Sequence, residues 1–136
     1  MKKVLALILV GLVVAAGVWF YVNKGHEDVA GEKPELSINA TELVKAFETN
    51  EQEANKQYVG KLIEVSGKIV QIDHTEDGSV NLLLESDNPM STVLCQLDPL
   101  QKQDQSGISE GREVRIKGLC SGFTTDVVLD RCHIIR

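Results

Sequence analysis

Residues 62–72 read Leu62-Ile63-Glu64-Val65-Ser66-Gly67-Lys68-Ile69-Val70-Gln71-Ile72, and the architecture follows from how this stretch is taken. β-branched and apolar residues recur at a period of two, which describes a strand with one face buried. Gly67 interrupts the pattern. Glycine inside a strand marks a bulge or a sharp bend at a barrel corner. A bent strand of this kind, followed by more strands, is how a small closed barrel begins.

Downstream, Asp77-Gly78 is a hairpin signal, and Val80 to Glu85 returns as a second strand. Asp87-Asn88-Pro89 turns the chain, and Thr92 to Leu97 gives a third. Asp98 to Gly107 is polar and reads as a loop or a short helix. Glu113 to Cys120 is the fourth strand and Val127 to Ile135 the fifth. Five strands, the first bent and a longer excursion between the third and fourth, predict a mainly β five-stranded OB-fold Greek-key barrel. Upstream the period is helical. Asn39 with Glu42, and Asn50 with Glu53, have the spacing of helix starts, which predicts helices near 40–49 and 51–57. Leu43, Val44, Phe47, Ala54 and Tyr58 form their buried face.

Val4 to Val22 (VLALILVGLVVAAGVWFYV) carries no charge. As a helix it spans roughly 28 Å, the thickness of a bilayer's hydrocarbon. Trp19, Phe20 and Tyr21 gather at one end, as interfacial aromatics do, and Lys2 and Lys3 precede it, so the N-terminus is expected inside and the rest outside the cytoplasm. The alternative is a secretory signal cleaved near Val14-Ala15-Ala16. The organisation expected is a transmembrane signal anchor over 1–23, a flexible tether over 24–38 that leaves His26 solvated, and the barrel with its helices over 39–136.

The chain has 136 residues, 43% apolar, 25% charged and only 4% aromatic, with a net charge of −6. Without Lys2, Lys3 and Lys24, 11 basic face 20 acidic side chains from His26 onward, a net −9. Nucleic-acid binders gain affinity by neutralising phosphates, so this balance weighs against nucleic acid and against an anionic membrane surface as partners. Aromatic stacking platforms are also scarce: outside the apolar segment the rings are Phe47, Tyr58 and Phe123.

Tyr58-Val59-Gly60-Lys61-Leu62-Ile63-Glu64-Val65-Ser66-Gly67 resembles the opening of exported bacterial OB-fold proteins of the tRNA-anticodon-like family. Val93-Leu94-Cys95, Gly111 through Val114-Arg115-Ile116 to Gly118, and Cys120-Ser121-Gly122 through Asp126-Val127-Val128-Leu129 to Cys132 continue the likeness. It covers about residues 40–136. The resemblance implies an exported, membrane-attached OB-fold, here on the periplasmic side of a bacterial inner membrane. It implies no catalytic residues and no demonstrated tRNA activity.

Three cysteines in an exported domain invite pairing. Cys120 and Cys132 flank the last hairpin and are the first candidates for a bridge; Cys95–Cys120 is the other pairing, and three buried thiols the third reading. No CxxC pair exists and Cys132-His133 would point to opposite faces, so no metal site is expected. No nucleophile sits at a readable spacing from a base, so the chain reads as a binding or assembly module without cofactor, not an enzyme. A nucleic-acid-binding protein and a thiol-dependent enzyme are the rival classes. OB-folds bind across strands two and three between the flanking loops. That nominates His74, Asp77, Ser121, Phe123 and Asp126 as ligand-binding residues for a protein, peptide or glycan.

Overall fold

The computed structural model describes residues 1–22, 29, 31–99 and 105–135. His26, part of the 24–38 tether and half of the Asp98–Gly107 excursion lie outside the described residues. Helix α1 (Lys2–Val22) is long and apolar enough to cross a membrane and buries none of its residues. The domain then runs β1 (Leu36–Asn39), α2 (Ala40–Thr49), α3 (Glu51–Tyr58), β2 (Leu62–His74), β3 (Val80–Leu84), β4 (Val93–Leu97), β5 (Glu113–Phe123) and β6 (Val127–Ile135).

The strands join in the order β2-β3-β4-β6-β5, and β2–β5 pairing closes them into the expected five-stranded barrel. β1 is an addition. It pairs in parallel with Ile63–Ser66 of β2, although its residues were read as the end of the tether and the start of a helix. Four residues are too short for a period-two pattern to show. The stem before it is docked as well: Lys117 Nζ donates to the Glu32 carbonyl at 2.8 Å, the Glu35 N–H donates to the Leu62 carbonyl at 2.8 Å, and Val29 is 2% exposed.

β2 changes partner midway, pairing with β5 over Leu62–Lys68 and with β3 from Ile69 onward. Gly67 sits at this corner. A Cβ there would lie 2.9 Å from the Ala40 Cβ, so the missing side chain admits the first turn of α2. The bulge comes slightly later, between Ile69 and Gln71, and leaves Val70 exposed.

Inward positions from all five strands fill the barrel, among them Ile63, Val65, Leu82, Leu84, Ile116 and Leu129. α2 and α3 supply Leu43, Val44, Phe47, Ala54 and Tyr58 to the same core. Asn50 serves both helices. Its N–H donates to the Ala46 carbonyl at 3.1 Å, while its side chain accepts from Glu53 N at 3.2 Å. At the start of α2 the Asn39 side chain accepts from Thr41 N at 2.8 Å.

The two cysteine pairings weighed from sequence are not formed. All three are free, buried thiols. Cys120 pairs across the hairpin with Leu129, not Cys132, because bulges break the β5–β6 register at Lys117/Leu119 and Cys120/Gly122. The Cys132 Sγ instead occupies the space over Gly118, 2.6 Å from where a Cβ would stand, and donates to the Leu129 carbonyl at 3.2 Å. Its thiol neighbour is Cys95, not Cys120.

Candidate ligand-binding face

β3, β4 and β6 lie together in the barrel wall, each with hydrogen-bonded strands on both sides. Because Val80, Leu82 and Leu84 point inward, Asn81 and Leu83 must point out; Leu94 and Gln96 do the same on β4. The register then builds two rows. Leu83 lies beside Leu94, and Leu94 beside Val128, as a half-buried aliphatic row. One step along, Asn81 lies beside Gln96. Next to Gln96 the β4–β6 register slips, since Cys95 pairs with Leu129 but Leu97 with Cys132.

That slip makes room for an extra residue on β6, and Arg131 takes it with φ 51°. It is the one described residue other than glycine at positive φ. Such a backbone costs of order 1–3 kcal/mol and persists only where its surroundings impose it. Here the imposition is visible: the bulge resets the alternation so that Leu129 and Cys132, three apart, both face the core. Arg131 is left outside, half-buried, in no ion pair with a described residue.

These side chains border a groove of about 370 Å³. Thr75, Asp77 and Ser79 of the β2–β3 hairpin make one wall, Asn81 and Gln96 sit on the strands, and Asp130 and Arg131 make the far side. Asp77 accepts from the Thr75 hydroxyl and from Ser79 N at 3.0 Å. Those hydrogen bonds, the Thr75 one foremost, hold its carboxyl below the usual carboxylate range. Asp130 accepts from the Ser121 hydroxyl.

Of the residues nominated from sequence, Asp77 lines the groove and Ser121 reaches it through Asp130. His74 is exposed at the end of β2. Phe123 stacks on Phe47, centroids 5.7 Å apart, so one face of its ring belongs to the core. Asp126 receives Thr92 N at 2.7 Å and the Thr92 hydroxyl at 2.9 Å, pinning the β5–β6 turn to the start of β4. The groove lies at the other end of β4, so these two do not join it. Asn81, Gln96 and Arg131 were not nominated. The first two are readable as the polar half of a period-two pattern; nothing in the local sequence announces the bulge.

A larger groove of about 590 Å³ runs along β5 between Ser66, Ile108 and Ile135. Its guanidiniums are engaged: Arg115 Nη1 lies 3.4 Å from Glu64 Oε1, and Arg112 donates to the Gly107 carbonyl at 3.2 Å. Two of the thiols are poor nucleophiles. Burial pushes Cys120 up to about 11 and Cys132 well above the usual thiol value. Among the described residues, no three His, Cys, Asp or Glu side chains gather closely enough to hold a metal ion.

The sequence profile of the tRNA_anti-like family matches residues 1–134. No protein of curated function matches the sequence. Among solved structures, the fold is similar to that of a "putative nucleic acid-binding lipoprotein" from Klebsiella pneumoniae (TM-score 0.57, 18% identity, covering 84% of this chain and 100% of that one). A more distant likeness is to U. maydis replication protein A bound to single-stranded DNA (TM-score 0.43, 21% identity, covering 77% of this chain and 76% of that one). The expectation against nucleic acid, drawn from charge, finds no support in the description of the Klebsiella protein.

Proposed function

The chain belongs to the tRNA_anti-like family, and from that premise we propose that it is a membrane-anchored binding module of the bacterial envelope, not an enzyme. α1 holds it in the inner membrane with Lys2 and Lys3 inside, and the barrel works on the periplasmic side. The contact surface is the outer face of β3, β4 and β6.

One observation carries this reading. An aliphatic row, Leu83–Leu94–Val128, lies beside the polar pair Asn81–Gln96, which shares a groove with Arg131, across strands whose own backbone groups are already paired. Such a face offers area and hydrogen bonds without a reacting group. The raised pKa values of Cys120 and Cys132 weigh against a thiol-dependent activity at those two positions, since catalysis by cysteine needs the thiolate.

The test is a photo-reactive residue placed at Gln96, with Lys68, exposed on β2, as control. We expect envelope adducts from position 96 and none from 68; equal labelling at both, or none above a membrane-only control, overturns the reading. Nucleic-acid binding is the second reading, favoured by the description of the Klebsiella lipoprotein. It predicts retention of single-stranded oligonucleotide that falls steeply with salt.

A further inference from the structure

Resting on the reading of that face as the contact surface, we infer that its ligand is an uncharged glycan chain, met on the barrel wall opposite the tethered seam, with Arg131 setting specificity. Asn81, Gln96 and Arg131 line one groove with planar groups, two amides that both donate and accept and a guanidinium fork that donates. A sugar ring is the complementary surface, because neighbouring hydroxyls each donate and accept. The groove's carboxylates already show this chemistry, Asp77 accepting from the Thr75 hydroxyl and Asp130 from that of Ser121. The aliphatic row alongside suits the C–H faces of the next residues in the chain.

The other occupants fit less well. A peptide added as a strand needs a free sheet edge, and β3, β4 and β6 have none. A single-stranded nucleic acid wants stacking rings and a basic track. The groove has no ring and sets two carboxylates, Asp77 and Asp130, against one guanidinium. A lipid surface fits less well because of where the stem docks. Lys117 holds Glu32, and Leu62 holds Glu35, on the β2–β5 seam. In the order β2-β3-β4-β6-β5 that seam lies opposite β4. From Val22, the end of α1, to the buried Val29 the chain can span at most about 25 Å. The seam is therefore the side of the barrel tethered to the anchor, and the groove is on the opposite wall.

Full-length protein in lipid nanodiscs, titrated with chitohexaose and separately with oligothymidylate, tests this by backbone amide shifts. We expect chitohexaose to move amides within 75–81, 94–97 and 128–131. R131A should weaken binding about tenfold or more, and R131K should not restore it, because an ammonium lacks the planar fork. K68A should bind as the wild type. No shifts with chitohexaose at millimolar concentration overturn the glycan assignment. Oligothymidylate moving these same amides instead would also overturn it while leaving the face intact. Shifts confined to the β2–β5 side would overturn both the ligand and the face.

Discussion

Arg131 is where the backbone and the groove make opposite demands. The bulge needs a residue at φ 51°, which glycine adopts without strain, yet the position holds the groove's guanidinium. R131G should therefore raise the urea midpoint, by about 1 kcal/mol of stability, while abolishing binding at the face. Gly118 has the reverse logic. An added methyl would stand 2.6 Å from Cys132 Sγ and 3.1 Å from the Asp130 carbonyl, so G118A should cost about 1–3 kcal/mol by overpacking. Cys120 gives a pH signature. Its folded pKa, pushed by burial to about 11, lies above the ordinary thiol value, so folding favours the protonated thiol. The stabilisation is complete below pH about 9 and is lost as pH rises toward the folded value. Unfolding followed from pH 8 to 11 should show a downward slope that C120A reduces, the remainder belonging to Cys132, whose burial raises its thiol in the same direction.

The two short helices depend on their ends and on one ring. Asn50 closes α2 and opens α3, and N50A should cost about 1 kcal/mol through the lost cap alone. Phe47 is 1% exposed and touches both Phe123 and Tyr58, with centroids 5.7 and 6.0 Å away. F47A should cost about 3–5 kcal/mol and loosen the end of β5, seen as faster amide exchange at Phe123 than at Ile116. Hairpin bulges, not tight turns, shape β5 and β6: three register slips set which side chains reach the core.

As a body, the protein divides into an apolar rod and an acidic barrel. α1 buries nothing against the domain, so removing residues 1–22 should leave the melting temperature of the barrel unchanged by calorimetry and release it from the membrane fraction. The full chain should require detergent for extraction; release by alkaline carbonate alone would point to cleavage near Ala16. The docked stem changes what the segment after the anchor does. Glu32 and Glu35 are bound to the barrel, so truncation to residue 36 should destabilise the domain, whereas truncation to residue 29 should not. A difference between those two melting curves is the readout.

Much of this was legible along the chain because it is set by neighbours in sequence. The apolar run to Val22, the helix starts at Asn39 and Asn50, the corner at Gly67 and the alternation of β3 and β4 each need only local spacing, and they place Asn81 and Gln96 outward. Pairing was not legible. β1 exists because Leu36–Asn39 meets β2, 27 positions later at Ile63. Cys132 left Cys120 for Cys95 because register slips are settled by packing across strands. Asp126 and Phe123 look like loop residues until Thr92 and Phe47 arrive beside them. Arg131 became the centre of the groove through a bulge that only the closed barrel imposes, since the alternation must be reset to bury Leu129 and Cys132 together. Contacts between residues far apart in the chain depend on closure, and closure is a property of the whole barrel.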